Sequence, residues 1–286
     1  MTALLATFAL LATQVGPDPT AGGMPGIPDE LRDRPPREEL RIVKQPQTNY
    51  LQRCLTKASS DPQSALDFAQ SWREVAQTDL DFAQSAHCLG LALVQLGRMG
   101  EAREAFELAS GEAPADNLAY AARLAAMAGN AAVSAGDLEG AIALLDRAGG
   151  MALAAPDGDL ASELRVDLAR VMVRHGRADD AALALAEARE ANALNGEAWL
   201  LSATLSRRME RLGEAQAQIE RAAMLTPRDP QVGLEAGVIA AISGRAEDAR
   251  ASFASVIEVA PGTPLATRAQ TYLDQLGPAD EEPEGE

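Results

Sequence analysis

Two neighbouring stretches of equal length restrict this chain more than any other feature. Residues 196–229, GEAWLLSATLSRRMERLGEAQAQIERAAMLTPRD, and residues 230–263, PQVGLEAGVIAAISGRAEDARASFASVIEVAPGT, superpose with a period of 34, matching Ala215/Ala249, Ile219/Phe253 and Pro227/Pro261. A period of that length marks one supersecondary unit, which buries its apolar face only by stacking on the next copy.

Small residues recur in pairs twelve apart: Gly90/Ala102, Gly129/Ala141, Ala169/Ala181, Ala203/Ala215 and Gly237/Ala249. One member in each helix of a hairpin lets the two backbones approach closely where they cross. Four residues after each second member stands a large apolar side chain, Phe106, Leu145, Leu185, Ile219 or Phe253, placed to fill the wedge between hairpins. Gly97, Gly136, Gly176 and Gly244 occupy the turn between helices, where a left-handed backbone is favoured. The fourth unit departs from this, with Glu210 at the turn and Gly213 later.

This pattern resembles the tetratricopeptide repeat, a helix-turn-helix unit of about 34 residues carrying W-x2-L-G-x2-Y, then A-x3-F, then P. The A-x3-F element stands here as Ala102/Phe106 and Ala249/Phe253, the tryptophan as Trp199, and the proline as Pro114, Pro227 and Pro261. The tryptophan position holds Ala86, Ala125 and Arg165 in the first three units. The expected fold is all-α, a right-handed α-solenoid of stacked hairpins. An atypical hairpin is expected at 47–80, repeats at 83–116, 122–155, 162–195, 196–229 and 230–263, and a capping helix at 264–276.

Composition agrees. Aromatic residues are 3% of the chain while apolar residues reach 47%, so alanine carries the packing; a sheet protein would need more β-branched and aromatic side chains. A net charge of -17 argues against nucleic acid as a partner.

The N-terminal run ALLATFALLA at 3–12 is too short to span a bilayer and reads as a signal-peptide core within 1–16, although no Lys or Arg precedes it and no clean A-x-A site follows. The alternative is an extra buried helix. Export implies a periplasmic or secreted protein; otherwise the chain is cytoplasmic. Residues 17–46 are Pro-rich and read as a disordered linker, and 278–286, PADEEPEGE, as an acidic disordered tail. Cys54 and Cys88 fall on the first helices of neighbouring hairpins, where a disulfide fits an exported protein and two small buried thiols fit a reducing compartment.

No constellation for chemistry is present. His87 and His175 belong to no HExxH, CxxC or GxSxG pattern, and the glycines are spaced by turns instead of clustered around a phosphate. Neither catalytic residues, metal nor cofactor is expected. The resemblance instead implies a concave peptide-binding face built from the first helix of each hairpin. Carried over to this chain, it places Arg123, Asn130, Arg170, Arg174, Thr204, Arg207 and Arg208 in a groove with a basic centre and an apolar C-terminal end. Guanidinium pairs bidentately with carboxylate, so an acidic or carboxylate-ended segment is one expected ligand; arginines paired with Glu a turn away are the alternative. The carboxylate clamp of chaperone-binding repeats is not reproduced, because its positions hold His87, Leu91, Met127, Glu163 and Asp167. The expected role is a non-catalytic adaptor or assembly module that binds a protein or peptide. Self-association of the array, with the groove unused, is the alternative.

Overall fold

The computed structural model describes residues 49–277, among which there are thirteen helices and no strand. The expected signal peptide, linker and acidic tail lie outside the described residues. The helices form six hairpins: α1 (Tyr50–Ser60) with α2 (Pro62–Val75), α3 (Asp79–Gln95) with α4 (Met99–Glu112), α5 (Leu118–Ala135) with α6 (Leu138–Ala154), α7 (Gly158–Arg174) with α8 (Ala178–Ala191), α9 (Gly196–Arg208) with α10 (Leu212–Leu225), and α11 (Pro230–Ile242) with α12 (Ala246–Val259). The last helix, α13 (Pro264–Leu276), packs on α12 and reaches α11. Each element contacts mainly its neighbours in sequence, as the α-solenoid requires.

Local chemistry sets the helix ends. Every first helix is capped by a side-chain oxygen: Asn49, Thr78, Asn117, Asp157, Asn195 and Asp229 each accept from a backbone N–H in the first turn, and Thr263 does the same for α13. Four of the second helices, α4, α8, α10 and α12, instead begin at an arginine with no side-chain cap: Arg98, Arg177, Arg211 and Arg245. Those guanidiniums turn elsewhere. Arg98, Arg177 and Arg245 pair with an acid three residues on, and Arg211 Nη2 lies 2.9 Å from Asp179 in the preceding hairpin.

The first helices of units one to three start four residues earlier than the 34-residue frame, at Asp79, Leu118 and Gly158, and run 17, 18 and 17 residues against 13 in α9 and α11. Together with the 17 residues of α6, this absorbs the extra length between units as added helical turns.

The packing follows the small-large rule. All five crossing pairs are buried, and so are Phe106, Leu145, Leu185, Ile219 and Phe253, at 2% exposure or less. Volumes are matched within each unit. A Cβ added at Gly90 would stand 2.5 Å from Phe106 Cε1, one at Gly129 would stand 2.8 Å from Leu145 Cγ, and one at Gly237 would collide with the Phe253 ring. Both phenylalanine wedges meet a glycine, and alanine stands at the crossing opposite Leu185 and Ile219; Leu145, no larger than Leu185, nevertheless meets Gly129.

The first hairpin is held differently. Cys54 of α1 and Cys88 of α3 are joined by a disulfide across Cα atoms 5.8 Å apart. Tyr50 stacks on Trp72 at 5.2 Å between centroids, Arg53 lies over Phe68 at 5.0 Å, and Arg73 Nη1 reaches Glu112 of α4 at 2.8 Å.

Candidate functional site

The residues expected in the groove lie on α5, α7 and α9, but they do not form one basic surface. Arg123 Nη2 is 3.5 Å from Asp157, and Arg170 Nη1 is 2.8 Å from Asp167, with its other terminal nitrogen on Glu197. Arg207 holds Glu235 of α11 through two bonds, Nε to Oε1 at 2.6 Å and Nη2 to Oε2 at 3.3 Å, and both side chains are largely buried. Three of the five guanidiniums are thus spent on carboxylates, two of them stapling one first helix to the next. The physical reason is the stacking itself, which puts the acids of one unit within reach of the bases of its neighbour.

Arg174 and Arg208 differ. Each is the last residue of its helix, α7 or α9, each is exposed, and neither makes an ion pair or hydrogen bond with another described residue. A cation there also complements the carbonyl end of the helix dipole. Asn130 is exposed on α5, away from the α7–α9 cleft, and Thr204 Oγ1 donates to Leu200 O at 3.1 Å within its own helix.

Between α7, α8 and α9 opens a cleft of about 190 Å³. Its floor is Ala169, Val173, Leu185, Leu201 and Leu205, and Arg170, Thr204 and Arg208 complete its lining. Three of the groove residues expected from the sequence are therefore brought together around an apolar depression. A second cleft of about 230 Å³ lies at the C-terminal end of the array, where Val238, Ala241 and Ile242 of α11 face Phe253, Tyr272, Gln275 and Leu276. This is the apolar end, with Ile242 56% exposed.

His87 is packed, not poised for chemistry. Its Nδ1 lies 3.3 Å from the Tyr120 hydroxyl and its ring 6.0 Å from Phe106. Burial lowers the imidazole pKa and pushes the Tyr120 phenol up to about 12, so both are neutral at pH 7. His175 caps the end of α7 and is exposed. Among the described residues no group of His, Cys, Asp and Glu has the arrangement of a metal site, and no helix is long and apolar enough to cross a membrane.

Two features went unread in the sequence. Arg165, at the position where the repeat pattern has tryptophan, is buried between α6 and α8 on Asp146 at 2.5 Å and Glu187 at 2.8 Å, against the backbone of Gly149. Arg189 lies 4.8 Å over the Trp199 ring, whose Nε1 donates to Ala193 O at 3.0 Å. Gly149 beside the repeat position of Arg165 was the available signal for the first; nothing in the spacing announces the second.

Residues 83–116 match the sequence model of the tetratricopeptide repeat. No curated protein matches the chain in sequence. Among solved structures the chain is similar to PilF of Pseudomonas aeruginosa, at 16% identity over 78% of this chain and 96% of that one with a TM-score of 0.56. It is similar as well to BtubC of P. vanneervenii, at 13% identity over 82% and 96% with a TM-score of 0.56. MamA of Desulfovibrio magneticus RS-1 aligns at 16% identity over 64% and 98% with a TM-score of 0.52. At these identities the likeness is one of fold.

Proposed function

We infer, because this chain is a tetratricopeptide-repeat protein, that it works as a non-catalytic interaction module holding a segment of another protein on the concave side of its first helices. The observation that carries this reading is the α7–α9 cleft: an apolar floor sized for one side chain, with the uncommitted guanidinium of Arg208 at its edge and Arg174 on the adjoining helix end. Such a site takes an apolar residue next to a carboxylate, because the floor rewards burial and a free guanidinium rewards an anion in bidentate geometry. Arg123, Arg170 and Arg207 are already paired within the array, and withdrawing Arg207 would strand the largely buried Glu235.

We place this work in an oxidising compartment, the periplasm or the cell exterior. The support is the Cys54–Cys88 disulfide together with the apolar run at 3–12. The test is a crosslinking capture with the tagged chain in its own cells, comparing the wild type with Arg174→Glu combined with Arg208→Glu. Loss of a captured protein with unchanged circular dichroism is the expected result. Capture that persists moves the site off this face, and a concentration-dependent dimer in sedimentation with no captured partner favours self-association.

A further inference from the structure

The first helices of the last units end in register. α7, α9, α11 and α13 finish at Arg174, Arg208, Ile242 and Leu276, residues spaced 34 apart, so the four helix ends form one row along the array. The row runs from two cations that pair with no described residue, across an apolar residue more than half exposed, to the point where the chain continues past Gly277. Ile242 and Leu276 share the C-terminal cleft, and Val173 and Arg208 share the α7–α9 cleft.

Beyond Gly277 the sequence continues as PADEEPEGE, nine residues with five acids and no base. We propose that this segment, 278–286, folds back along the row, passing Ile242 and setting its carboxylates on Arg208 and Arg174, so that it occupies the groove in competition with the partner.

The reach is sufficient. Neighbouring first helices in packed arrays lie about 10 Å apart, which puts Arg208 two steps, about 20 Å, from the end of α13. Nine extended residues span about 30 Å. Charge is matched as well, because the tail is the densest run of acid in a chain of net charge -17 while Arg174 and Arg208 are the cations that the folded array leaves uncommitted along this row. The tail's tether raises its local concentration to the order of millimolar, so even a weak contact competes with a free ligand. The proposal rests on the groove as the binding face and adds to it a built-in competitor.

The test uses the full chain. In an Arg208→Lys variant at low micromolar concentration, a carbodiimide joins the new amine to any carboxylate in contact with it, and peptide mapping identifies the acid. The expected product is an intrachain link from position 208 to an acidic residue of 278–286, diminished at about 0.5 M salt, where screening shortens to a few ångström. Links only to Glu235 or other acids of the helical array overturn the proposal. Links between chains in a mixture of light and heavy isotope forms do so too, since they assign the tail to a second copy.

A binding arm separates this from failure of the groove reading. The probe is labelled peptide PADEEPEGE, offered to the wild type and to a chain with Asp280→Asn, Glu281→Gln, Glu282→Gln, Glu284→Gln and Glu286→Gln. The neutral-tail chain is expected to bind it about tenfold more tightly, the competitor being gone. Equal affinities, both abolished by Arg174→Glu with Arg208→Glu, overturn the tail and leave the groove reading standing. A neutral-tail chain that does not bind the probe overturns the tail as well, while capture of a partner in cells is judged separately. Binding that survives both arginine changes overturns the tail and the groove together.

Discussion

The first hairpin and the last two reach the same geometry by different chemistry. In 196–259 two helices cross on alanine or glycine and a single large residue fills the wedge; no disulfide ties them, and the polar ties include Ser206 Oγ to Gln218 Oε1 at 2.8 Å across α9 and α10 and Arg207 to Glu235 between α9 and α11. In 50–75 the side chains are bulky, with Tyr50, Phe68 and Trp72 gathered in a chain that has few aromatics, and a disulfide and the Arg73–Glu112 pair tie the hairpin to α3 and α4. An end hairpin has a neighbour on one side only, so it buries less and needs a tie that does not depend on burial. The C-terminal end meets the same problem with an extra helix, α13, whose Tyr272 lies 5.3 Å from Phe253.

The strongest way to break this contrast is to remove the disulfide. Closing a loop between residues 34 apart constrains the unfolded chain by about 3 to 4 kcal/mol in the chain-entropy account. Cys54→Ser with Cys88→Ser is therefore expected to destabilise α1 and α2 by about that amount while α9 to α12 keep theirs. Hydrogen exchange reads the two regions separately. Equal loss of protection at both ends would mean that the array unfolds as one unit and that the first hairpin holds no privileged staple.

The complementary change strikes the other region. Ala215 is fully buried where α9 and α10 cross, so Ala215→Leu is expected to cost about 1 to 3 kcal/mol by overpacking, with lost protection centred on 196–225. An unchanged melting temperature would show that the crossing has slack that the small-large pairing does not allow for.

Much of this was legible in the sequence, and the reason is the short range of the rules involved. A crossing alanine, its wedge four residues on and the turn between them lie within one unit, so a period of 34 exposes them all at once. The match of glycine with phenylalanine at Gly90/Phe106 and Gly237/Phe253 was visible too, but it takes on meaning only once the Cβ of one is seen to fall inside the ring of the other. Ion pairs between units were not legible. Arg170 meets Glu197 and Arg207 meets Glu235 at separations of 27 and 28, distances in sequence that depend on how one hairpin rotates on the next. For the same reason the sequence left open which of the five arginines meet an acid: Arg123, Arg170 and Arg207 do, Arg174 and Arg208 pair with no described residue, and nothing in the spacing says which cation Glu197 would meet.

The finest distinction lies inside the repeat region, between the turns of its two 34-residue units. Gly97, Gly136, Gly176 and Gly244 turn with φ of 73°, 85°, 84° and 75°, and Glu210, where the glycine is missing, adopts the same left-handed backbone at φ 62°. The fold keeps the turn and accepts the strain. A left-handed backbone costs an L-residue about 1 to 2 kcal/mol, and the greater freedom that glycine loses on folding offsets about 0.5 to 1 of that. Glu210 is exposed and makes no ion pair among the described residues, so Glu210→Gly is expected to stabilise by about 0.5 to 1 kcal/mol and raise Tm by about 2 °C. Gly244→Ala is the mirror of it: a Cβ there meets nothing within 4 Å, so any loss, expected at about 1 kcal/mol, comes from the backbone alone. If Glu210→Gly leaves Tm unchanged or lowers it while Gly244→Ala behaves as expected, the fourth turn is held by interactions that the fifth lacks, and the two units are alike in geometry but not in what enforces it.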